Sequence, residues 1–438
     1  MKSKVKTNAA WIIGCKIMQS LLALIISMLT ARYMGPSNYG LLSYAQSLCT
    51  FVVPIMQLGL NWIIVYEIIN SSDDEEGILG TSVVLSLLSA VFCITGIVVF
   101  TSIANAGEKD TLLVCFLFSI NLLFQSIELI QYWFQAKLLS KYTSLVALFS
   151  YIIVSAYKII LLVTKKSIYW FAISHSIDYC IIAISLLFIF KKLTGKRLFF
   201  SATIAKRLLE NSKYYIVTGL MINLFMQTDR VMLKIMVGNT ITGFYSAASV
   251  CAGIGGFVFV AIIDSMRPFI LQNRKDNNGL FDDSTKQLYS IIIYSSLFYA
   301  IVLTLFSRII VSILYGKDYV DSIEILKILA WCMILQYYGG AKDVWILAEE
   351  KQKYLVPLNA AGAIMNIVLN VLFINLYGAR GAAFASLLTL FFTNVIMIAA
   401  IPALRFNTYL LIDSIKPKYL IDAVKKILSK LRRKVAHE

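Results

Sequence analysis

Long, uninterrupted apolar runs recur along the whole chain and are separated by short polar stretches. Most are about 20 residues or longer, which is enough for a helix to cross the hydrocarbon core of a bilayer. A soluble fold could not bury so many continuous apolar segments. The pattern therefore predicts a membrane protein with twelve spans, at about residues 10–31, 41–66, 78–104, 112–134, 145–163, 168–190, 214–237, 244–270, 288–307, 323–347, 354–376 and 381–402.

Two stretches of this pattern are nearly alike. GPSNYGLLSYA (35–45) and GNTITGFYSAA (238–248) both read Gly, four residues, Gly, two bulky apolar residues, Ser, any residue, Ala. Each follows a predicted span, the first or the seventh, and its glycine would end that helix before the next one begins. An offset of six spans preserves orientation, so we predict an all-α fold of two parallel six-helix bundles. Chance recurrence of a glycine-rich turn is the competing explanation.

The spans predict four parts: a first bundle over 1–190, a basic cytoplasmic linker over 191–213, a second bundle over 214–402 and a basic tail over 403–438. The linker has the mixed polarity of an interfacial hinge. In the tail, apolar residues fall on one helical face, which predicts an amphipathic helix along the anionic inner leaflet. A solvated tail is the alternative. The apolar face comprises Leu420, Val424, Ile427, Leu431 and Val435.

Composition and charge agree with this picture. Hydrophobic residues make up 59% of the chain and charged residues 15%, against about a quarter charged in soluble domains. With the N-terminus inside, the predicted cytoplasmic segments carry 26 Lys and Arg and the outer loops seven, so both termini are predicted to be cytoplasmic. The net charge of +16 then requires no nucleic-acid partner. The seven cysteines are scattered singly, which is typical of small buried residues rather than of metal or redox sites.

Ionisable residues within the spans are the candidate chemistry, because they are costly in lipid and usually face a wet cavity or the protein interior. In the seventh span Asn223, Gln227, Arg230 and Lys234 share one helical face. Two cations one turn apart require anions, and the neighbouring Asp229 supplies one at most. This favours a cavity that binds an anionic ligand, although polar contacts between helices are the alternative.

Further polar groups follow the same rule, again with helix packing as the alternative. His175 and Asp178 could relay protons, but a satisfied interior histidine is the more common finding. Asp264 and Arg267 are most simply a structural ion pair. Two more polar stripes comprise Asn121, Gln125, Glu128, Tyr132 and Gln135 in the fourth span, and Asn359, Asn366 and Asn370 in the eleventh.

A cavity of amides, tyrosines and cations suits sugars linked to a lipid phosphate or diphosphate, since Arg and Lys bind phosphate and amides bind hydroxyls. The sequence shows no phosphate-binding loop, catalytic set or nucleotide fingerprint. We therefore expect a transporter rather than an enzyme, with no cofactor, metal or catalytic residue. It would be driven by an ion gradient, the membrane potential or the gradient of its cargo.

Five segments, in order, resemble a known family: ARYMGPSNYGLLSYAQSL (31–48), LGLNWIIVYEI (58–68), YWFQA (132–136), DRVMLKIMVGNTITGFYSAA (229–248) and LYGARGAAFASL (376–387). The chain resembles the bacterial O-antigen and exopolysaccharide repeat-unit flippases of the multidrug/oligosaccharidyl-lipid/polysaccharide exporter superfamily. The matching positions include Arg32, Gly35, Gly40, Asn61, Trp133, Gln135, Asp229, Gly238 and Gly243. Ala136 and Leu138 depart from the family, which often has Gly and Glu there; any role for that acidic group is therefore in doubt.

The resemblance implies two bundles around a central cationic cavity, with alternating access. It implies transport of undecaprenyl-diphosphate-linked repeat units, for O-antigen lipopolysaccharide or another surface polysaccharide, across the bacterial cytoplasmic (inner) membrane. A polysaccharide polymerase and a chain-length regulator are then candidate partners beside membrane lipid. The candidate substrate-binding residues are Arg230, Lys234, Lys16, Lys158, Asn61, Gln125, Gln227, Asn366 and Asn370, and the ion-coupling candidates are Glu128, Asp178, Asp229 and Asp264.

Two other functions stay open. A cation-coupled multidrug exporter of the same superfamily would favour an acidic cavity, which Arg230 and Lys234 argue against. A membrane glycan polymerase should show a large outer loop with Arg or His clusters, and the sequence has none.

Overall fold

The computed structural model describes residues 2–70, 74–276, 279–423 and 425, and all regular secondary structure in those ranges is helical. A helix satisfies its own backbone hydrogen bonds, as a segment in lipid must. The helices are α1 Lys2–Met56, α2 Ile64–Asn70, α3 Glu75–Ala104, α4 Lys109–Ser119, α5 Asn121–Ile127, α6 Gln131–Ala136, α7 Ser140–Val163, α8 Ile168–Thr194, α9 Ala202–Met236, α10 Asn239–Gly253, α11 Gly256–Lys275, α12 Phe281–Leu314, α13 Ser322–Ala348, α14 Leu355–Phe391, α15 Met397–Ala400 and α16 Arg405–Ser414.

The two longest helices each contain a break at a glycine. In α1 the backbone leaves helical geometry at Gly35 (φ 68°, ψ 171°), and in α14 it does so at Gly378 (φ 57°, ψ −132°). Glycine adopts positive φ without the steric cost that a Cβ brings. Both breaks fall in the short connections that the sequence predicts between spans one and two and between spans eleven and twelve.

The described residues include seven helical stretches that are long and apolar enough to cross a membrane, or eight if the pair α10 and α11, bent by 44°, is one span. The prediction of an all-helical, multi-pass membrane protein is therefore confirmed. Two of the seven, Gly14–Met56 and Gln352–Ala400, contain the breaks at Gly35 and Gly378. The more polar α9 and α13 are not among the seven. The count of twelve spans stays a prediction.

The chain divides into two compact units, Met1–Gly243 and Phe244–Glu438. The first unit contains α1 to α9, and thus also the predicted linker and seventh span. One of its cores gathers residues of α2, α3, α6 and α8, among them Ile64, Leu79, Phe134 and Leu186. In the second unit, Phe259 stacks on Tyr337 with ring centroids 4.0 Å apart.

The first repeated stretch contacts the part of the second stretch that belongs to the first unit, residues 238–243. A Cβ on Gly40 would lie 2.6 Å from the backbone nitrogen of Gly243 and would overlap the carbonyl of Asn239. A Cβ on Gly243 would likewise overlap the carbonyl of Pro36. The second glycine of each stretch is therefore required by a backbone-to-backbone contact, whereas the first, Gly35 or Gly238, has positive φ.

The predicted linker is docked on the first unit. After Gly195 the chain runs non-helically to Ser201, whose amide donates to Thr81 Oγ1 at 3.0 Å. Lys196 Nζ lies 2.5 Å from Glu76 Oε1. A Cβ on Gly80 would lie 2.6 Å from the amide nitrogen of Phe199. Backbone contact and an ion pair thus fix this segment along the beginning of α3.

The beginning of the predicted tail packs on the second unit. Asn407 of α16 is fully buried. Its Oδ1 accepts a hydrogen bond from the Tyr338 hydroxyl at 2.9 Å, and its Nδ2 donates to the Tyr289 hydroxyl at 2.5 Å. Lys286 lies 2.8 Å from Asp413, and Tyr419 donates to the same carboxylate at 2.7 Å. The hydrogen bond from Lys286 is the largest of the effects that hold the pKa of Asp413 well below its usual range. Of the predicted amphipathic face, Val424, Ile427, Leu431 and Val435 lie outside the described residues.

We predict that Gly40→Ala or Gly243→Ala will lower the free energy of unfolding by about 2 kcal/mol, because the added methyl overpacks the contact. The midpoint of thermal unfolding in detergent measures this. The matched control is Gly96→Ala in α3, where a Cβ meets nothing within 4 Å, so that better helix propensity should leave the midpoint unchanged or raise it. Equal midpoints for Gly40→Ala and Gly96→Ala would contradict the prediction.

Candidate functional site

Lys234, near the end of α9, is buried with 3% exposure and has a specific acidic partner. Its Nζ donates to Glu108 Oε2 at 2.6 Å, and Thr111 Oγ1 donates to the same oxygen at 2.6 Å. The hydrogen bond from Lys234 is the main cause of the lowered pKa of Glu108. The positive charge of Lys234 is therefore balanced within the protein.

Glu108 is a functional residue that was not among the candidates predicted from the sequence. It lies in the predicted outer connection between the third and fourth spans, far from Lys234 along the chain. The available signal was the unbalanced pair of cations on α9, which required more acidic groups than Asp229 alone. Asp229 itself is buried with 7% exposure.

Arg230 differs from Lys234 although it lies only one turn away. The residue is half-buried, and its Nη1 donates to Gln227 Oε1 at 3.3 Å. Among the described residues, no carboxylate lies within ion-pairing distance of its guanidinium. A neutral amide balances no charge, so Arg230 is the cation of this stripe that can still bind an anion.

A second group of candidates meets in the interior of the first unit. Ser150 Oγ donates to Asp178 Oδ1 at 2.6 Å. The charges of Glu128 and Lys158 both act on Asp178, and the charge of Lys158 also acts on His175. All four titratable residues are half-buried. Three separate segments, around α5, α7 and α8, thus bring two of the four ion-coupling candidates, Glu128 and Asp178, together with His175 and Lys158.

The remaining candidates lie apart from these two groups. Lys16 is exposed on α1, while Gln125 and Asn61 are half-buried. In the second unit, Asn370 donates to Asn366 Oδ1 at 3.0 Å and both are fully buried, as expected of polar packing. Asp264 is exposed and lies 3.1 Å from Arg267, which confirms the predicted ion pair.

Trp133, one of the family-matching positions, has a contact that the sequence did not indicate. It is buried, and its Nε1 donates to Glu75 Oε2 at 2.8 Å; Lys137 also pairs with Glu75. The neighbouring match, Gln135, is exposed. The indole therefore holds the beginning of α3 against α6.

A family model described as polysaccharide biosynthesis protein matches residues 5–274. No curated protein matches the sequence.

Solved structures show the same fold at low identity. The lipid II flippase MurJ, in an inward closed conformation, has a TM-score of 0.70 and 14% identity, over 95% of this chain and 92% of that one. An inward-facing multidrug resistance MATE family transporter of the MOP superfamily has a TM-score of 0.65 and 14% identity, over 93% and 98%. A MOP superfamily transporter from Pyrococcus furiosus has a TM-score of 0.60 and 14% identity, over 95% of this chain and 97% of that one. The chain therefore shares the fold of these transporters.

We predict that Glu108→Gln will destabilise the protein more than Lys234→Met. The first change leaves a buried ammonium without an anion, whereas the second leaves a carboxylate that water can reach. The difference should be about 1–3 kcal/mol in thermal or denaturant unfolding.

The pH dependence provides the control for this pair. Because the pKa of Glu108 is lowered in the folded state, the pair stabilises the fold above the unfolded-state pKa of about 4.3 and loses that effect as the pH falls through the lower folded-state value. The double variant Glu108→Gln/Lys234→Met should lack this part of the acid sensitivity. An unchanged acid profile, or greater damage from Lys234→Met, would contradict the assignment.

Proposed function

The chain belongs to the polysaccharide biosynthesis protein family, and on that premise we propose that it is a flippase for lipid-linked oligosaccharides. Its cargo would be undecaprenyl-diphosphate-linked repeat units of O-antigen or another surface polysaccharide, moved from the cytoplasmic to the periplasmic leaflet by alternating access. The observation that carries the proposal is Arg230, a half-buried guanidinium without a carboxylate partner among the described residues.

The chemistry of the cargo explains why such a cation is needed. A diphosphate carries its charge on oxygens that cannot enter hydrocarbon unaided, since a buried ion costs several kcal/mol even after relaxation. A guanidinium can bind two phosphate oxygens at once and cannot lose its proton. Gln227, which bonds to Arg230, adds an amide for sugar hydroxyls.

In this mechanism the inward-open protein takes up the diphosphate at Arg230, while the prenyl chain stays in lipid. Lys16 is exposed and Lys158 is half-buried; both would contribute further positive charge. Lys234 has a secondary role, because Glu108 already balances it. Asn61, Gln125, Asn366 and Asn370 would contribute to preference for particular glycans, either directly or by fixing the packing.

A multidrug exporter is the second candidate, because the fold is shared with the MATE transporters. An exporter of cationic drugs would place unpaired carboxylates where this chain has Arg230. A glycan polymerase is the third candidate and has less support, since the fold is that of transporters.

Ion coupling belongs to the same proposal. Glu128 and Asp178 interact with each other and, through Asp178, with Lys158, so a proton or cation bound at one group changes the charge felt by the others. Asp264 is exposed and paired with Arg267, which fits a structural role better. Asp229 is buried on α9 beside Arg230 and stays a candidate.

We expect a strain that lacks this protein to accumulate single lipid-linked repeat units on the cytoplasmic side and to lose surface glycan. The missing step would then be translocation, and analysis of lipid-linked glycans in the two leaflets measures it. If single repeat units still reached the surface but long chains did not, the polymerase function would be correct instead.

Complementation of that strain tests the role of Arg230. Arg230→Ala should restore less than a tenth of the surface glycan at equal protein level, because the diphosphate loses its cation, while Arg230→Lys should restore part of it. The matched control is Arg267→Ala, which removes a cation that Asp264 already balances. Full complementation by Arg230→Ala would contradict the proposal.

Asp178→Asn tests the coupling group. We expect this substitution to flatten the dependence of the transport rate on external pH, since it removes a group that exchanges a proton, and Asp264→Asn to keep the wild-type profile. The measurement is the translocation rate in vesicles with an imposed pH difference. Identical profiles for wild type and Asp178→Asn would exclude Asp178 from coupling.

A further inference from the structure

Two exposed aromatic rings face each other at the predicted cytoplasmic end of the first unit. Trp62, at the end of the short helical turn Leu60–Trp62, stacks on Tyr215 of α9 with ring centroids 5.9 Å apart and planes 12° apart. Despite this contact, 58% of Trp62 and 41% of Tyr215 are exposed. The pair thus presents a flat aromatic surface.

The backbone fixes this pair in place. Gly59 has a φ of +66°, and a Cβ there would lie 2.7 Å from the carbonyl oxygen of Ser212 and 3.0 Å from Cβ of Tyr215. Only glycine allows this approach of the turn to α9. This backbone contact adjoins both Trp62 and Tyr215. The position of the turn against α9 therefore brings the two rings together.

Hydrogen-bonding groups adjoin the rings. Arg207, Asn211 and Tyr215 recur every fourth residue on α9 and so share a face. Asn211 Nδ2 donates to Glu67 Oε1 at 2.9 Å, and Arg207 Nε lies 3.3 Å from Glu67 Oε2. Arg207 Nε and Nη2 are buried and make no hydrogen bond with any described residue, whereas 40% of the Arg207 side chain as a whole is exposed. The ion pair with Glu67 therefore leaves the exposed part of the Arg207 side chain open to a ligand.

We propose that Trp62, Tyr215, Asn211 and Arg207 form a subsite for the sugar and phosphate of a lipid-linked glycan before it enters the transport path. The C–H face of a pyranose packs on flat aromatic rings, and amides bind its hydroxyls. A partly exposed arginine binds a phosphate oxygen. This inference rests on the proposed function and adds a second contact region, distinct from Arg230, near the beginning of α9.

The neighbouring aromatic residues supply a contrast. Tyr66 and Tyr214 are more exposed, at 68% and 74%, and neither pairs with another aromatic ring in the described residues. Single exposed tyrosines of this kind are typical of the belt at the membrane interface. Tyr214 is therefore the matched control: it adjoins Tyr215 in sequence but contacts no other aromatic ring of the described residues.

The test uses the full-length protein in lipid nanodiscs and two sets of probes. These are farnesyl diphosphate, and farnesyl diphosphate carrying a single N-acetylglucosamine or galactose. Dissociation constants are compared for wild type, Trp62→Ala, Trp62→Phe and Tyr214→Ala.

We expect wild type to bind at least one glycosylated probe more tightly than farnesyl diphosphate. Trp62→Ala should weaken binding of that probe about tenfold and leave farnesyl diphosphate unchanged, since only the sugar loses its aromatic surface. Trp62→Phe should retain part of the difference, and Tyr214→Ala all of it.

Three results would overturn the inference. Equal effects of Trp62→Ala and Tyr214→Ala would show an interfacial anchor, and equal weakening of all probes by Trp62→Ala would show a structural role. Tight binding of farnesyl diphosphate without any gain from sugar would remove the subsite but leave the proposed diphosphate site intact. Failure of wild type to bind any probe would contradict the proposed function as well.

Discussion

A charge inside a bundle of membrane helices must find an opposite charge, a strong hydrogen-bond partner or a ligand. The first unit shows two of these outcomes one helical turn apart. Lys234 is buried and bonded to Glu108 at 2.6 Å, while Arg230 has a neutral glutamine as its partner. This difference separates a cation whose charge is balanced within the protein from one that has only a neutral partner, and the proposed function depends on it.

Close backbone contacts hold the elements that carry these charges. Gly40 and Gly243 bring the two repeated stretches together, and Gly59 brings the turn before α2 against α9. Ion pairs with Glu67 and Glu76 fasten Arg207 and Lys196, on either side of the beginning of α9. Glycine contacts thus hold α9, the helix of Arg230 and Lys234, near both of its ends. The linker segment that packs along α3 supports the beginning of the same helix.

Much of the architecture could be predicted from the sequence, because apolar length and glycine-rich turns are local signals. The breaks at Gly35 and Gly378 fall where the pattern placed them. Pairing between distant residues could not be predicted: Glu108 lies 126 positions from Lys234, and Trp133 lies 58 from Glu75. The stripe on α9 indicated that cations needed partners, but only the fold showed which one was already balanced. The stacking of Trp62 on Tyr215 has no periodic signal, since it depends on the approach at Gly59.

The most direct test of the central claim is translocation by the purified protein alone. Wild type and Arg230→Ala are reconstituted in vesicles whose outer leaflet holds a fluorescent lipid-linked diphospho-sugar, and the fraction that becomes protected from an external quencher is followed over time. The proposed role of Arg230 predicts rapid protection with wild type and a rate close to that of protein-free vesicles with Arg230→Ala. Equal rates for the two proteins, or no protection by wild type, would contradict it.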